Sequence, residues 1–215
     1  MAENSFQKEW DSPEISTIAE LAANLVYRLP GCDDVMIRFT LREAYGEFCR
    51  LSNALVTVRE IPLEAGETLY PLSNMIPDCR VECVRKVSTA YGQTLCEGLD
   101  YRISTGVPPA LSIMERFLPK DGAEETSIAV ECLEMPNSGS ERVPKWFIRK
   151  YGDAISAGAL VRLFSMTGKA WSDPAQARIE LGRWEGYVAA ARLGGMSGSQ
   201  FGNGRFNPVD TSEML

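Results

Sequence analysis

The sequence predicts an α+β fold: a helical bundle of two helical hairpins with an inserted small antiparallel β domain and an extended C-terminal tail. Three observations predict it. Apolar residues recur at helical spacing before residue 53 and after residue 143, a β-branched stretch with closely spaced turn signals lies between them, and periodicity stops after Leu193 in a glycine-rich run. The expected boundaries are residues 1–53 for an N-terminal extension and the first hairpin and 54–142 for the β insertion. Residues 143–194 form the second hairpin, packing on the first, and residues 195–215 a flexible docking tail.

The first helix is expected from Ser12-Pro13-Glu14, where a Ser cap precedes Pro at the first helical position and an acid in the first turn. Ile15, Ile18, Ala22, Leu25 and Leu29 supply its apolar face, and Pro30-Gly31 stops it. Asp33 or Asp34 caps the second helix, whose stripe is Ile37, Leu41, Ala44, Phe48 and Leu51.

Strand character begins at Leu55-Val56-Thr57-Val58-Arg59-Glu60-Ile61, with turn signals at Glu64-Ala65-Gly66-Glu67 and Pro71. Further strands are expected at Cys79 to Val87, Leu99 to Ser104, Ala110 to Phe117 and Thr126 to Leu133. The last two are separated by Leu118-Pro119-Lys120-Asp121-Gly122, a hairpin-like turn.

The third helix is expected from Val143-Pro144-Lys145-Trp146, with Ile148, Tyr151, Ile155, Ala159, Leu163 and Met166 on one face, and Thr167-Gly168-Lys169 ending it. Its small residues Ala154, Ala157, Gly158 and Ala159 admit close approach of another helix. Ser172-Asp173-Pro174 begins the fourth helix, with Ala177, Leu181, Trp184, Val188 and Ala191 as its stripe. Phe48, Ile155, Ala159, Leu181 and Trp184 are therefore the expected contacts between and within the hairpins. In the tail, Phe201, Arg205 and Phe206 are residue types that anchor interfaces when they order on a partner.

Composition narrows the chemistry. The 215 residues carry 22 Lys plus Arg against 29 Asp plus Glu, a net charge of -7, which is the wrong sign for coating nucleic acid. The charge divides unevenly, with a net +3 in residues 141–215 and -10 in residues 1–140. Histidine is absent, which removes His-based triads, His general bases and His metal ligands. No P-loop motif is present.

The six cysteines fit reduced, mostly buried thiols. Cys79 and Cys83, four apart in an expected strand, would share a face, but a zinc site would also have to recruit Cys96 or Cys132, so buried thiols are the simpler expectation. Asp33-Asp34 and Glu124-Glu125 are the acid pairs a carboxylate-dependent cell-wall hydrolase would need, although a helix cap and a turn explain both. No catalytic, cofactor-binding or metal residue is expected. The polar, acidic start lacks a signal peptide's basic and apolar regions, and no apolar run approaches the ~20 residues that span a bilayer. Synthesis in a host cytoplasm and no membrane partner are the expectations.

Two stretches carry a family resemblance. Cys32-Asp33-Asp34-Val35-Met36-Ile37-Arg38-Phe39 followed by Leu41-Arg42-Glu43-Ala44-Tyr45-Gly46-Glu47-Phe48-Cys49-Arg50 resembles the opening helix of the head-to-tail adaptor (head completion, neck connector) proteins of tailed double-stranded-DNA bacteriophages. Val143-Pro144-Lys145-Trp146-Phe147, then Ile155 to Leu163, then Met166-Thr167-Gly168-Lys169-Ala170-Trp171-Ser172-Asp173-Pro174, is similar to the carboxyl-terminal hairpin of the same proteins. With the order helix pair, β segment, helix pair, the resemblance covers residues 30 to 193.

The resemblance implies a structural virion protein of the neck, a ring usually of twelve copies beneath the portal that extends the DNA channel and attaches the tail. The implied partners are further copies of the chain, the portal protein, a tail nozzle or tail-tube protein, and genomic DNA passing without sequence recognition. An alternative is another neck or tail-tube component that binds the tail nozzle. The glycine-rich tail and the extension before Pro13 depart from the family's pattern.

Overall fold

The structure, a computed structural model, describes residues 13–104, 106, 108–119 and 126–197. In chain order, β1 (Ile15–Thr17) leads into α1 (Ile18–Leu25), one 3-10 turn (Val26–Arg28) and α2 (Asp34–Ser52). The β segment then runs β2 (Val56–Leu63), β3 (Leu69–Pro71), β4 (Cys79–Thr89), β5 (Tyr101–Ser104), β6 (Ala110–Ile113) and β7 (Thr126–Pro136). β8 (Arg142–Pro144), α3 (Lys145–Phe164) and α4 (Pro174–Ser197) close the described chain. The architecture is α+β, with four helices and antiparallel sheets.

Asp33 caps α2, its side chain accepting from the Val35 N–H at 3.0 Å, and α2 ends where Asn53 adopts a left-handed φ of 52° and donates its N–H to the Cys49 carbonyl. At α4, Asp173 accepts from the N–H groups of Ala175 and Gln176, both at 3.0 Å, with Pro174 at the first helical position.

The helix starts differ from expectation at two places, and one pairing explains both. Residues Ile15–Thr17, expected in the first helix, form a strand antiparallel to Arg142–Pro144, of which Val143 and Pro144 were expected in the third. The Lys145 N–H donates to the Glu14 carbonyl at 2.7 Å, extending the ribbon. Val143 precedes a proline and so is disfavoured in a helix, and Ile15 and Thr17 are β-branched. α1 accordingly begins at Ile18, and Pro13 is not its first residue; Ser12 lies outside the described residues. At their far ends, α3 stops at Phe164, leaving Met166 beyond it, whereas α4 passes the expected end at Leu193 and includes Gly194 and Gly195.

The β segment holds two three-stranded antiparallel sheets, β2-β7-β4 and β3-β6-β5. The turn around Leu118 is therefore not a hairpin: β6 and β7 are the central strands of different sheets, and each already has a neighbour on both edges. Lys120–Gly122 lie outside the described residues. The strand ends also move: β6 stops at Ile113, Glu115–Phe117 form a 3-10 turn, and β3 and the β1-β8 ribbon are additional to the expected strands.

β4 carries two bulges, between Val81 and Cys83 and between Val84 and Lys86. They bring Val81, Val84 and Val87 opposite Glu134, Cys132 and Val130, on one face at a spacing of three. This overturns the expectation that Cys79 and Cys83 share a face: Cys79 is buried and Cys83 exposed.

Two clusters of buried side chains result. One joins α1–α4 with Leu55, Ile76, Leu133 and Met135; the other fills the space between the sheets with Tyr70, Leu72, Val87, Leu111, Ile113 and Val130 among its members. On the rim of the second sheet, the Cys96 N–H donates to Asp100 at 2.8 Å and Arg116 pairs with the same carboxylate. The Cys96 N–H, and then Arg116 against an opposing burial effect, hold the Asp100 carboxyl below its usual range. A depressed folded-state pKa means stabilisation that is complete above the unfolded carboxylate range and lost as pH falls through the folded value. Protection of the Cys96 amide, its exchange rate divided into the intrinsic rate at the same pH, should therefore fall on acidification below the ordinary carboxylate range, and Asp100→Asn should remove most of that acid sensitivity.

Candidate functional site

Phe48 is the hub of the helical core. Its ring lies 6.1 Å from Phe147, 5.1 Å from Tyr151 and 5.6 Å from Trp184, centroid to centroid, so α2, α3 and α4 meet in one aromatic cluster. Phe48, Ile155 and Ala159 are fully buried and Trp184 nearly so. The close approach expected of the small residues on α3 occurs at Gly158, over which the Trp184 indole packs.

Leu181 departs from its expected place and is 42% exposed, while the neighbouring Glu180 is 1% exposed. The buried face of α4 runs 177, 180, 184, 188, 191. Glu180 is held by Arg28 at 2.5 Å and Arg183 at 3.3 Å, which compensate its charge where an uncompensated carboxylate would be expelled. Nothing in an apolar stripe signals a buried acid; the signal available in the sequence was only that Arg183 lies one turn away.

The Arg28–Glu180 pair also orients the bundle. Arg28 ends the 3-10 turn before α2, and Arg192, near the other end of α4, donates to the Leu51 carbonyl at 2.6 Å. α2 and α4 thus run in the same direction, with their N-termini at one end. Val26, Tyr27, Val35, Met36, Phe39, Ile179 and Leu181 are exposed large apolar residues, and all belong to the elements at that end. Most of the exposed large apolar side chains among the described residues are on this end of the bundle. Val35 and Phe39 were readable as apolar positions off the Ile37–Phe48 stripe, which is the sequence signal of a second apolar face.

Two concavities adjoin the bundle. A polar cleft of about 490 Å³ lies between α2, Arg162 of α3 and residues 135–140; within it Glu47 pairs with Arg162 and, at 3.6 Å, Arg50, and Arg80 pairs with Glu82 at 3.2 Å. A larger groove of about 970 Å³ runs beside β4.

The candidate chemical groups are dispersed. Asp33 caps α2 and Asp34 pairs with Arg38 at 2.7 Å; Glu124 and Glu125 lie outside the described residues. Burial pushes the Cys79 thiol up to about 12 and that of Cys132 to about 11, so both stay protonated and behave as apolar filling. Cys83 and Cys96 are exposed. Among the described residues no group of three or more acidic or cysteine side chains is placed to hold a metal ion, and no helix is long and apolar enough to cross a membrane. Phe201, Arg205 and Phe206 lie outside the described residues.

No protein-family profile matches the chain, and no curated protein matches it. Among solved structures it is similar to a chain of the virion of a native gene transfer agent particle, at 16% identity and a TM-score of 0.27, covering 79% of this chain and 94% of that one. It is also similar to a chain of the neck of an empty gene transfer agent particle computed with C6 symmetry, at 14% identity, the same TM-score and the same coverage. At that TM-score the superpositions do not establish a shared fold, and function has to be argued from the chain's own residues.

Proposed function

We propose that this chain is a structural virion protein, a head-to-tail adaptor of the phage neck that closes into a ring of twelve beneath the portal. The observation that carries the reading is the apolar end of the bundle. A folded chain that leaves Val35 and Phe39 of α2, Tyr27, and Ile179 and Leu181 of α4 in water at one end has a surface that is stabilised by a partner. The segments with adaptor-like sequence supply most of α2 and parts of α3, and with them Val35, Met36 and Phe39 of that end and Phe48 and Phe147 of the aromatic core.

A closed ring needs two different complementary faces on each copy, and the apolar end supplies one. A net charge of -7 suits a conduit, because phosphate affinity comes from cations that neutralise it and a DNA passage must not grip. In this reading the chain performs no reaction. The tail adds portal attachment through Phe201, Arg205 and Phe206.

Mixed with the portal protein of the same virus, the purified chain should appear in electron micrographs as a ring stacked on the portal. Val35→Asp/Phe39→Asp changes exposed side chains only, so melting temperature should be retained while ring formation falls at least tenfold, since each buried charge costs several kcal/mol. Truncation after Ser197 should retain the fold and weaken portal attachment. Undiminished assembly of the double variant would overturn the reading, and undiminished attachment of the truncated chain would remove the tail from it.

A further inference from the structure

A ring subunit that offers its apolar end to one neighbour must carry a second, different face that receives the same end from the other neighbour. That face has to bring apolar surface and enough room for several side chains, because the centre of a stable interface packs as tightly as a protein interior. Of the two concavities beside the bundle, the cleft between α2 and α3 is polar and holds the Glu47–Arg162 and Arg80–Glu82 pairs. The groove of about 970 Å³ beside β4 differs in kind, with Val81, Val84, Ile103, Pro108 and Pro109 in its lining. It opens between the two sheets, β4 along one side and Ile103 and Ser104 of β5 along the other, and among the described residues both are edge strands.

The groove and the apolar end lie apart on one copy. Arg80, Glu82 and Asn137 line both the groove and the cleft, and the cleft's opposite wall is α2 from Arg42 to Arg50. At 1.5 Å per residue, Val35 stands roughly 18 Å along α2 from Glu47. A copy therefore does not fill its own groove with its own apolar end, and a contact between the two faces joins successive copies head to tail.

Charge marks the same pairing. In the groove Arg80 pairs with Glu82 at 3.2 Å, which leaves Glu97, exposed at the rim, with no cation beside it among the described residues. At the apolar end Arg28 and Arg183 pair with Glu180, Arg38 pairs with Asp34 at 2.7 Å, and Lys169 lies over the Trp171 ring. Arg178 is left over: it is exposed, three residues before Leu181 on α4, and no acid among the described residues pairs with it. An uncompensated acid on one face and an uncompensated base on the other favour their meeting and oppose the pairing of two like faces.

We infer that the apolar end of each copy seats in the β4 groove of the next, its apolar side chains against Val81, Val84 and Ile103, with Arg178 meeting Glu97 across the contact. This pairing, which rests on the proposed ring, gives the apolar end its partner: a second copy of the chain, met by a different face, as closure by rotation requires.

Cys83 lines the groove and is exposed, so the native chain already carries a thiol on the receiving face. Leu181→Cys puts another on the entering face, and Cys32→Ser/Cys96→Ser removes the remaining thiols that are not buried. Treated with a short bismaleimide as rings on the portal, this chain should give a ladder of covalent multiples on a denaturing gel, and Cys83→Ser should abolish the ladder. Reversing either charge, Glu97→Arg or Arg178→Glu, should lower ring formation about tenfold at unchanged melting temperature, because both side chains are exposed, and the double reversal should restore it. Rings without a Cys83-dependent ladder, or a double reversal no better than the single ones, would overturn the inference and leave the ring itself standing. So would a Cys83 that is protected from iodoacetamide in the dilute single chain and freed by deleting residues 2–11 or 198–215, which would assign the groove to the chain's own termini. No ring from the unaltered chain would overturn this pairing together with the adaptor reading.

Discussion

Gly158→Ala is expected to destabilise the protein by about 1–3 kcal/mol, although alanine is the better helix former by about 1 kcal/mol. A Cβ built at Gly158 lies 2.5 Å from Cζ3 and 2.6 Å from Cε3 of Trp184, inside any normal carbon contact. The indole cannot retreat cheaply, because Phe48 packs against it with ring centroids 5.6 Å apart. In a domain of this size each kcal/mol lowers Tm by about 2–4 °C, so thermal unfolding followed by circular dichroism resolves the effect.

Gly186→Ala is the matched control. A Cβ there meets nothing within 4 Å, so only helix propensity acts and Tm should rise slightly. A double-mutant cycle pairing Gly158→Ala with Trp184→Leu should be non-additive, because shrinking the ring relieves the overlap. Simple additivity would show that the contact is not what the glycine serves.

Glu134→Ala should be costlier, at about 3–5 kcal/mol, read as a lowered urea midpoint. This carboxylate is 0% exposed, and every donor around it is specific. Oε1 accepts from Thr57 Oγ1 and the Met75 N–H, both at 2.8 Å, and from Arg59 at 3.3 Å; Oε2 accepts from the Ile76 N–H at 3.0 Å. Alanine would strand two backbone donors and a buried guanidinium together. Glu134→Gln should cost less, since one oxygen remains, yet still be destabilising, because its NH2 would meet either the Ile76 N–H or the donors at Oε1. Ile76 belongs to the helical core and Arg59 donates to the Ser73 carbonyl, so Glu134 joins β7 to the segment that leads into β4.

These two positions also mark how far the sequence could be read. Asp173 was legible as a helix cap, Asp33 as one of two candidates with Asp34, and Phe48, Ile155, Ala159 and Trp184 as apolar positions at helical spacing, because caps and stripes are written within one or two turns. Leu181 was misplaced by the same reasoning. The stripe placed Ala177, Trp184, Val188 and Ala191 inward as expected, but the inward position between them is Glu180, whose partner Arg28 lies 152 residues away. Glu134 looked like one acid among 29, and only its burial among converging donors makes it structural. In β4 the alternation rule failed at two bulges, which shift the facing residues through the register of β7 and leave no mark on the residues themselves.

The candidate surface followed the same division. Val35 and Phe39 stood off the core stripe in the sequence, but their grouping with Tyr27, Ile179 and Leu181 required α2 and α4 to run the same way, which the Arg28–Glu180 and Arg192–Leu51 contacts settle.

By itself, then, the sequence determined the α+β class, most of the helices and strands, the caps of α2 and α4 and the absence of histidine chemistry, since these depend on residue type and on neighbours along the chain. Tertiary structure alone decided that Ile15–Thr17 is a strand, that Glu180 rather than Leu181 turns inward, that β6 and β7 part into different sheets and that, among the described residues, β4 is an edge strand. Each of those outcomes turns on which distant group satisfies a backbone edge or a buried charge, and pairing across such a separation has no local signature.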